Sequence, residues 1–160
     1  MQWLSDKMPA ESPHVAIIHN DYKLDNVVWS RDDPLRLVGV LDWEMATLGD
    51  PLMDLGCTLG YWVQPDDPEQ HRNFPSMPTL YEGAPTRAEL VARFEQQSGY
   101  AVDNIDFYFC FGLFRLAGIG QQIYYRYYHG HTKDPRFARL RDKVVSLHLM
   151  CEKVMTESEL

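Results

Sequence analysis

Residues 15–29 read VAIIHNDYKLDNVVW. An apolar run ends at His19, Asp21, Lys23, Asp25 and Asn26 follow in one burst, and a second apolar run starts at Val27. Short apolar runs bounded by polar residues have the pattern of buried strands. Val15–His19 is expected to be one strand, Val27–Ser30 a second and Leu35–Trp43 a third. Arg31-Asp32-Asp33-Pro34 has turn composition, so the last two should form a β-hairpin. Asn26 and Asp42 are equidistant in sequence from Pro34, and a symmetric antiparallel pairing would set them opposite each other at the open end. An amide oxygen beside a carboxylate, with further acids near, is a hard-oxygen donor set suited to Mg²⁺.

Helical signals take over from Asp50. Asp50-Pro51 is an N-cap followed by proline at the first helical position, opening a helix to about Val63. A proline-rich loop is expected over residues 64–85. Thr86 and Glu89 form a capping box for a helix that Gly99 closes. A long apolar helix should span about Asn104–Tyr128. Asp134-Pro135 should cap a last one with Phe137, Leu140, Val144, Leu147, Cys151 and Val154 on one face. Gly118-Ile119-Gly120 lacks the third glycine of a phosphate loop and reads as mid-helix, its glycines explained by packing. Residues 1–14 read as the tail of an element followed by a linker. The order gives an α+β class, one 160-residue domain dominated by helix.

Composition narrows the function. An apolar share of 45% with 24% charged residues is that of an ordinary globule. The net charge of −8, with no basic run, argues against nucleic acid as a partner. No apolar run reaches membrane-spanning length, and none has the form of a secretory leader. The three cysteines are widely spaced, which suits reduced thiols and a cytoplasmic location.

His19-Asn20-Asp21-Tyr22-Lys23-Leu24-Asp25-Asn26 has the form H-x-D-x-x-x-x-N, and Asp42-Trp43-Glu44 follows one hairpin later. That two-part pattern is the catalytic-loop signature of kinases. The chain resembles the aminoglycoside phosphotransferase and choline kinase family, which has a protein-kinase-like fold. Within it, the similarity is greatest to phosphotransferase-like domains associated with acyl-CoA dehydrogenases. The run from Val40 to Leu55 and the stretch Phe114–Ile119 carry the resemblance further, so that it covers nearly the whole chain as a C-terminal lobe.

The resemblance implies an ATP- and Mg²⁺-dependent transfer of the γ-phosphate to a hydroxyl of a small molecule. Asp21 would accept or orient the hydroxyl proton, Asn26 and Asp42 would hold Mg²⁺, and Lys23 would reach the phosphoryl group. His19 would orient the loop, and Asp54 would tie down its backbone. Asp25 and Glu44 read equally as supports for the metal ligands and as surface acids. The acidic balance points to a cationic acceptor, the subgroup resemblance to a hydroxy-acyl compound.

Only eighteen residues precede His19, and they hold neither a Gly-rich strand-turn-strand nor a strand lysine that could clamp ATP. The expectation is therefore a fragment or incomplete enzyme, not active by itself, whose interlobe face would be uncovered and prone to self-association. Two other readings stand beside it: a non-catalytic binding or scaffold module, and a metal-dependent hydrolase built on the same acids.

Overall fold

The computed structural model describes residues 1–10, 12 and 14–160; the expected linker over 1–14 therefore lies partly outside the described residues. Its start is helical: α1 (Gln2–Asp6) lays Trp3 and Leu4 against the core. Four short strands follow, β1 (Ala16–Ile18), β2 (Val27–Trp29), β3 (Leu37–Val40) and β4 (Thr47–Gly49). They make two separate antiparallel ribbons, β1 with β4 and β2 with β3.

The hairpin is present, with a register different from the symmetric one. Val27 pairs with Val40 and Val28 with Gly39, but Trp29 pairs with Leu37, so Val38 is an extra residue on β3. The turn is centred on Asp33 rather than Pro34, as the Ser30 N–H donating to the Arg36 carbonyl shows. That sets Trp29 two positions off the symmetric register, and the bulge recovers one of them. Asn26 consequently faces Leu41, whose N–H donates to the Asn26 carbonyl at 2.8 Å. The third strand stops at Val40 rather than Trp43, because Asp42 adopts the left-handed region (φ 66°, ψ 49°) and a 3-10 turn, Trp43–Met45, follows. β4 had no counterpart among the expected strands. It pairs Thr47 with Ile18 and Gly49 with Ala16, closing the loop back onto β1.

The rest of the chain is helical: α2 (Pro51–Tyr61), α3 (Glu69–Arg72), α4 (Arg87–Ser98), α5 (Ile105–Tyr128) and α6 (Leu140–Glu157). α3 interrupts the expected proline-rich loop. The Asp50 carboxylate accepts the Leu52 N–H at 2.9 Å, and both halves of the Thr86–Glu89 capping box are formed. A 3-10 turn, Pro135–Arg139, precedes α6, so that helix starts at Leu140 instead of directly after Pro135.

α2, α5 and α6 enclose the core, in which Leu59 and Leu113 are completely buried. Burying one such side chain contributes about 2 kcal/mol. α2 and α5 touch backbone to backbone where Gly56 meets Tyr108 and Gly112. A Cβ on Gly56 would lie 2.2 Å from the Tyr108 carbonyl oxygen, and one on Gly112 would lie 2.2 Å from that of Gly56. No helix among the described residues is long and apolar enough to cross a membrane.

Candidate active site

The loop between β1 and β2 is held from below by one carboxylate. Asp54, in the first turn of α2, accepts the His19 N–H at 2.7 Å and the Asn20 N–H at 2.8 Å. Loop N–H groups outside a ladder need such a partner. Asn20 has φ 64°, a left-handed conformation that asparagine tolerates better than most residues, and its side-chain amide donates to the Met45 carbonyl at 3.0 Å.

His19 is buried and lies between the two halves of the site. Its Nδ1 accepts the Asp21 N–H at 3.2 Å, which leaves Nε2 as the donor to the Leu41 carbonyl at 2.7 Å. One imidazole thereby sets both the Asp21 backbone and the residue preceding Asp42. The Trp43 ring lies 4.7 Å from it, and the Trp43 indole N–H donates to the Val40 carbonyl at 2.8 Å.

The Asp21 carboxylate is the centre of the network. Lys23 Nζ donates to Oδ2 at 2.9 Å, Asn26 Nδ2 to the same oxygen at 3.1 Å and to the Asp21 carbonyl at 2.8 Å. The Tyr61 hydroxyl donates to Oδ1. Burial pushes the Asp21 pKa up, but the hydrogen bonds from Tyr61, Lys23 and Asn26 and the Lys23 charge outweigh it, so the carboxyl stays below its ordinary range. Burial, together with Asp21, pushes the Tyr61 phenol well above its ordinary value, so it stays protonated and remains a donor. Lys23 also lies 5.1 Å from the centre of the Tyr61 ring.

Asn26 is buried and uses its amide N–H₂ on Asp21. Among the described residues no donor is bonded to its Oδ1 or to the Asp42 carboxylate. Asn26 directly precedes β2 and Asp42 follows β3 by one residue, so both stand at the open end of the ribbon, where the Leu41 N–H donates to the Asn26 carbonyl. Among the described residues no group of three His, Cys, Asp or Glu side chains could hold a metal. A cation here would thus depend on one amide, one carboxylate and oxygens from outside the protein. That sparse, all-oxygen set fits Mg²⁺, which keeps waters and takes phosphate oxygens rather than a complete protein cage. Asp25 and Glu44 are exposed, and their side chains have no hydrogen bond or ion pair among the described residues.

Two participants were not anticipated from the residue pattern. Tyr61 ends α2, forty positions from Asp21, and nothing local marks it. Arg115, on α5, places Nη2 3.3 Å from Met45 Sδ and Nη1 3.9 Å from Cys57 Sγ, bringing a cation under the Trp43–Met45 turn. Burial raises the Cys57 thiol to about 11, so it is neutral and unreactive there. The tyrosines near the end of α5 line no part of this site, and Tyr125 and Tyr128 are exposed.

A loop acid between a lysine and an amide, followed one hairpin later by a second acid, defines a kinase-like phosphotransferase fold and site. The chain belongs to the phosphotransferase enzyme family, whose family model matches residues 1–91. A crystal structure from Ralstonia eutropha, described as an aminoglycoside phosphotransferase, superposes with a TM-score of 0.81 at 29% identity. The match covers 99% of this chain and 48% of that one. Among curated proteins, acyl-CoA dehydrogenase family member 11 of Gallus gallus is 30% identical over 143 residues, 82% of this chain and 17% of its own length. Family member 10 of Mus musculus is 31% identical over 135 residues, 84% and 12% respectively. The probable acyl-CoA dehydrogenase IBR3 of Arabidopsis thaliana is 30% identical over 147 residues, 87% and 18%. The chain thus spans less than a fifth of these curated relatives.

Proposed function

We propose that this chain carries the catalytic loop of an ATP- and Mg²⁺-dependent phosphotransferase acting on a hydroxyl of a small molecule. The observation that supports it best is the joint placement of Asp21, Lys23 and Asn26 by His19 and Asp54. The acceptor oxygen attacks the γ-phosphorus of ATP, the bond to the ADP oxygen breaks, and the hydroxyl proton passes to the Asp21 carboxylate. Asn26 and Asp42 would hold the Mg²⁺, which when bound supplies charge neutralisation to the phosphates. Lys23 holds Asp21 in place, and its ammonium would offset charge on the transferred group. A hydroxyl entering the site must share Asp21 with Tyr61, since both carboxylate oxygens already accept hydrogen bonds. A cytoplasmic location belongs to this reading and is supported by three free, buried cysteines.

The test is phosphoryl transfer from labelled ATP to a panel of hydroxylated metabolites by the full gene product. Asp21→Asn should lower turnover by at least about 10³-fold while nucleotide binding is retained. Undiminished turnover rejects Asp21 as the base. A folded protein that neither transfers phosphate nor binds Mg²⁺–ATP would be the binding module instead.

A further inference from the structure

A second feature lies at the start of the last helix. A cavity of about 400 Å³ is lined by Asn73, Phe74 and Pro75 on one wall and by Arg136, Arg139, Leu140 and Lys143 on the other. The second wall follows the helical spacing of three and four residues, so its three cations share one face. No carboxylate lines the cavity. In a chain of net charge −8 that is an unusual concentration of positive charge.

Structural stability does not account for it. Arg139 stands just before α6 and Lys143 in its opening residues, so both face the positive end of the helix dipole, which disfavours cations. Arg136 is neutralised by Asp134, to which it donates at 2.6–3.0 Å. Arg139 and Lys143 have no ion-pair partner among the described residues. Arg139 stacks over Phe74, its guanidinium carbon 5.5 Å from the ring centre, which orients it without neutralising it. Lys143 is partly buried and has only the neutral Ser76 hydroxyl, at 2.6 Å. Burial, and then the charge of Lys23, push its pKa down, as happens to an ammonium with nothing negative beside it.

The cavity also adjoins the catalytic loop. Ser76, which receives the Lys143 hydrogen bond, precedes Met77, and the Met77 sulfur accepts the Leu24 N–H at 3.2 Å. We propose that Arg139 and Lys143 form a subsite for an oxyanion of the phosphate class carried by the acceptor molecule. Assigning the anion to the acceptor rests on the phosphotransferase reading; the existence of the anion site does not. An acceptor bearing an oxyanion then suits this protein better than a cationic one.

The test is a ¹⁵N NMR titration of the 160-residue chain with inorganic phosphate, against chloride at equal ionic strength, repeated with Mg²⁺–ATP. Phosphate should give saturable shifts at Ser76 and in residues 137–144, absent with chloride. Lys143→Met and Arg139→Gln should each weaken phosphate binding by at least about fivefold. Lys153→Met, farther along the same helix, should leave it unchanged. Arg139 is exposed, so its variant keeps the test valid if Lys143→Met fails to fold. Absence of saturable shifts, or phosphate affinity indifferent to both substitutions, overturns the proposal. Saturation by Mg²⁺–ATP at these same residues would make it a nucleotide site and overturn the assignment to the acceptor. Asp21→Asn should not alter phosphate affinity, so a failure of the catalytic reading leaves the anion site standing.

Discussion

The Asp54 carboxylate receives the His19 N–H at 2.7 Å, across thirty-five positions of sequence, and among the described residues it is the side chain on which the His19 and Asn20 amides rest. Hydrogen bonds to a charged acceptor contribute about 1.5–3 kcal/mol each, and the second one, from Asn20, doubles the dependence. Asp54→Ala should therefore destabilise the protein by about 3 kcal/mol. It should also raise amide exchange at His19 and Asn20 more than in α5. Chemical denaturation and hydrogen exchange check both; unchanged exchange at the two amides would reject the role.

Tyr61 and Asp21 offer a test that needs no substrate. Removing the phenol hydroxyl by Tyr61→Phe takes a donor from a partly buried carboxylate, at a cost of about 1 kcal/mol after allowance for solvent screening. The sign with pH follows from the direction of the shift. The folded Asp21 pKa lies below the unfolded one, so its contribution is full above the unfolded value and vanishes as pH falls through the folded one. The stability difference between the two proteins should accordingly shrink under acid. A difference constant from neutral to strongly acidic pH would contradict it.

His71 should make the protein sensitive to mild acid. The ring is buried, its Nδ1 meets the Ser146 hydroxyl at 3.2 Å, and its Nε2 has no partner among the described residues. Burial is the main cause of its depressed pKa; Asp67 opposes the shift, and Arg87 and Lys143 add to it. Stability is then complete above the unfolded value of about 6.5 and declines as pH falls below it. His71→Gln should flatten the decline in Tm between about pH 7 and pH 5. An identical slope in both proteins would assign the acid sensitivity elsewhere.

Glycines provide a paired comparison. Gly56→Ala would place a Cβ 2.2 Å from the Tyr108 carbonyl oxygen and force α2 away from α5, at a cost of about 3 kcal/mol or more. Of the two glycines of Gly118-Ile119-Gly120, expected to be packing glycines, Gly120 is one, since its Cβ would lie 3.1 Å from Val144 Cγ2. A Cβ on Gly118, by contrast, would meet nothing within 4 Å among the described residues. Gly118→Ala should thus stabilise α5 by about 0.5–1 kcal/mol. Thermal melts of the two variants should move in opposite directions, and a shift of the same sign in both would refute the close-approach argument.

The β2–β3 ribbon exposes Trp29, Leu37, Val38 and Leu41, and Trp43 beside them is 50% exposed. Contiguous apolar surface of this kind favours association. Sedimentation velocity at tens of micromolar is expected to show reversible self-association of the 160-residue chain, reduced by Leu41→Lys. A strict monomer would reject it.

Features that depend on neighbours in sequence were readable before any coordinates. The Asp50-Pro51 cap, the Thr86–Glu89 box and the period of α5 are local, set within one or two turns by backbone groups that need partners. The hairpin was readable from its turn composition, but its register was not. The turn is centred on Asp33 rather than Pro34, and the bulge at Val38 makes up only half of the difference. The remaining position sets Leu41 opposite Asn26 and leaves Asp42 beyond the ladder in the left-handed region. Thr47–Gly49 has no strand signature of its own, because three residues without alternation become a strand only when Ala16–Ile18 lies alongside.

Which chemistry-bearing residues the loop holds follows from local order alone, since Asp21, Lys23 and Asn26 lie within six positions and need only a local fold to converge. Tertiary structure decided what surrounds them. Tyr61 reaches the Asp21 carboxylate because α2 packs under the loop, and Asp54 reaches its backbone for the same reason. Lys143 arrives beside the Ser76–Met77 segment only because α6 crosses the far side of the core. Contacts between positions so distant carry no periodicity or spacing, and arise from the burial of helix faces that bring them together.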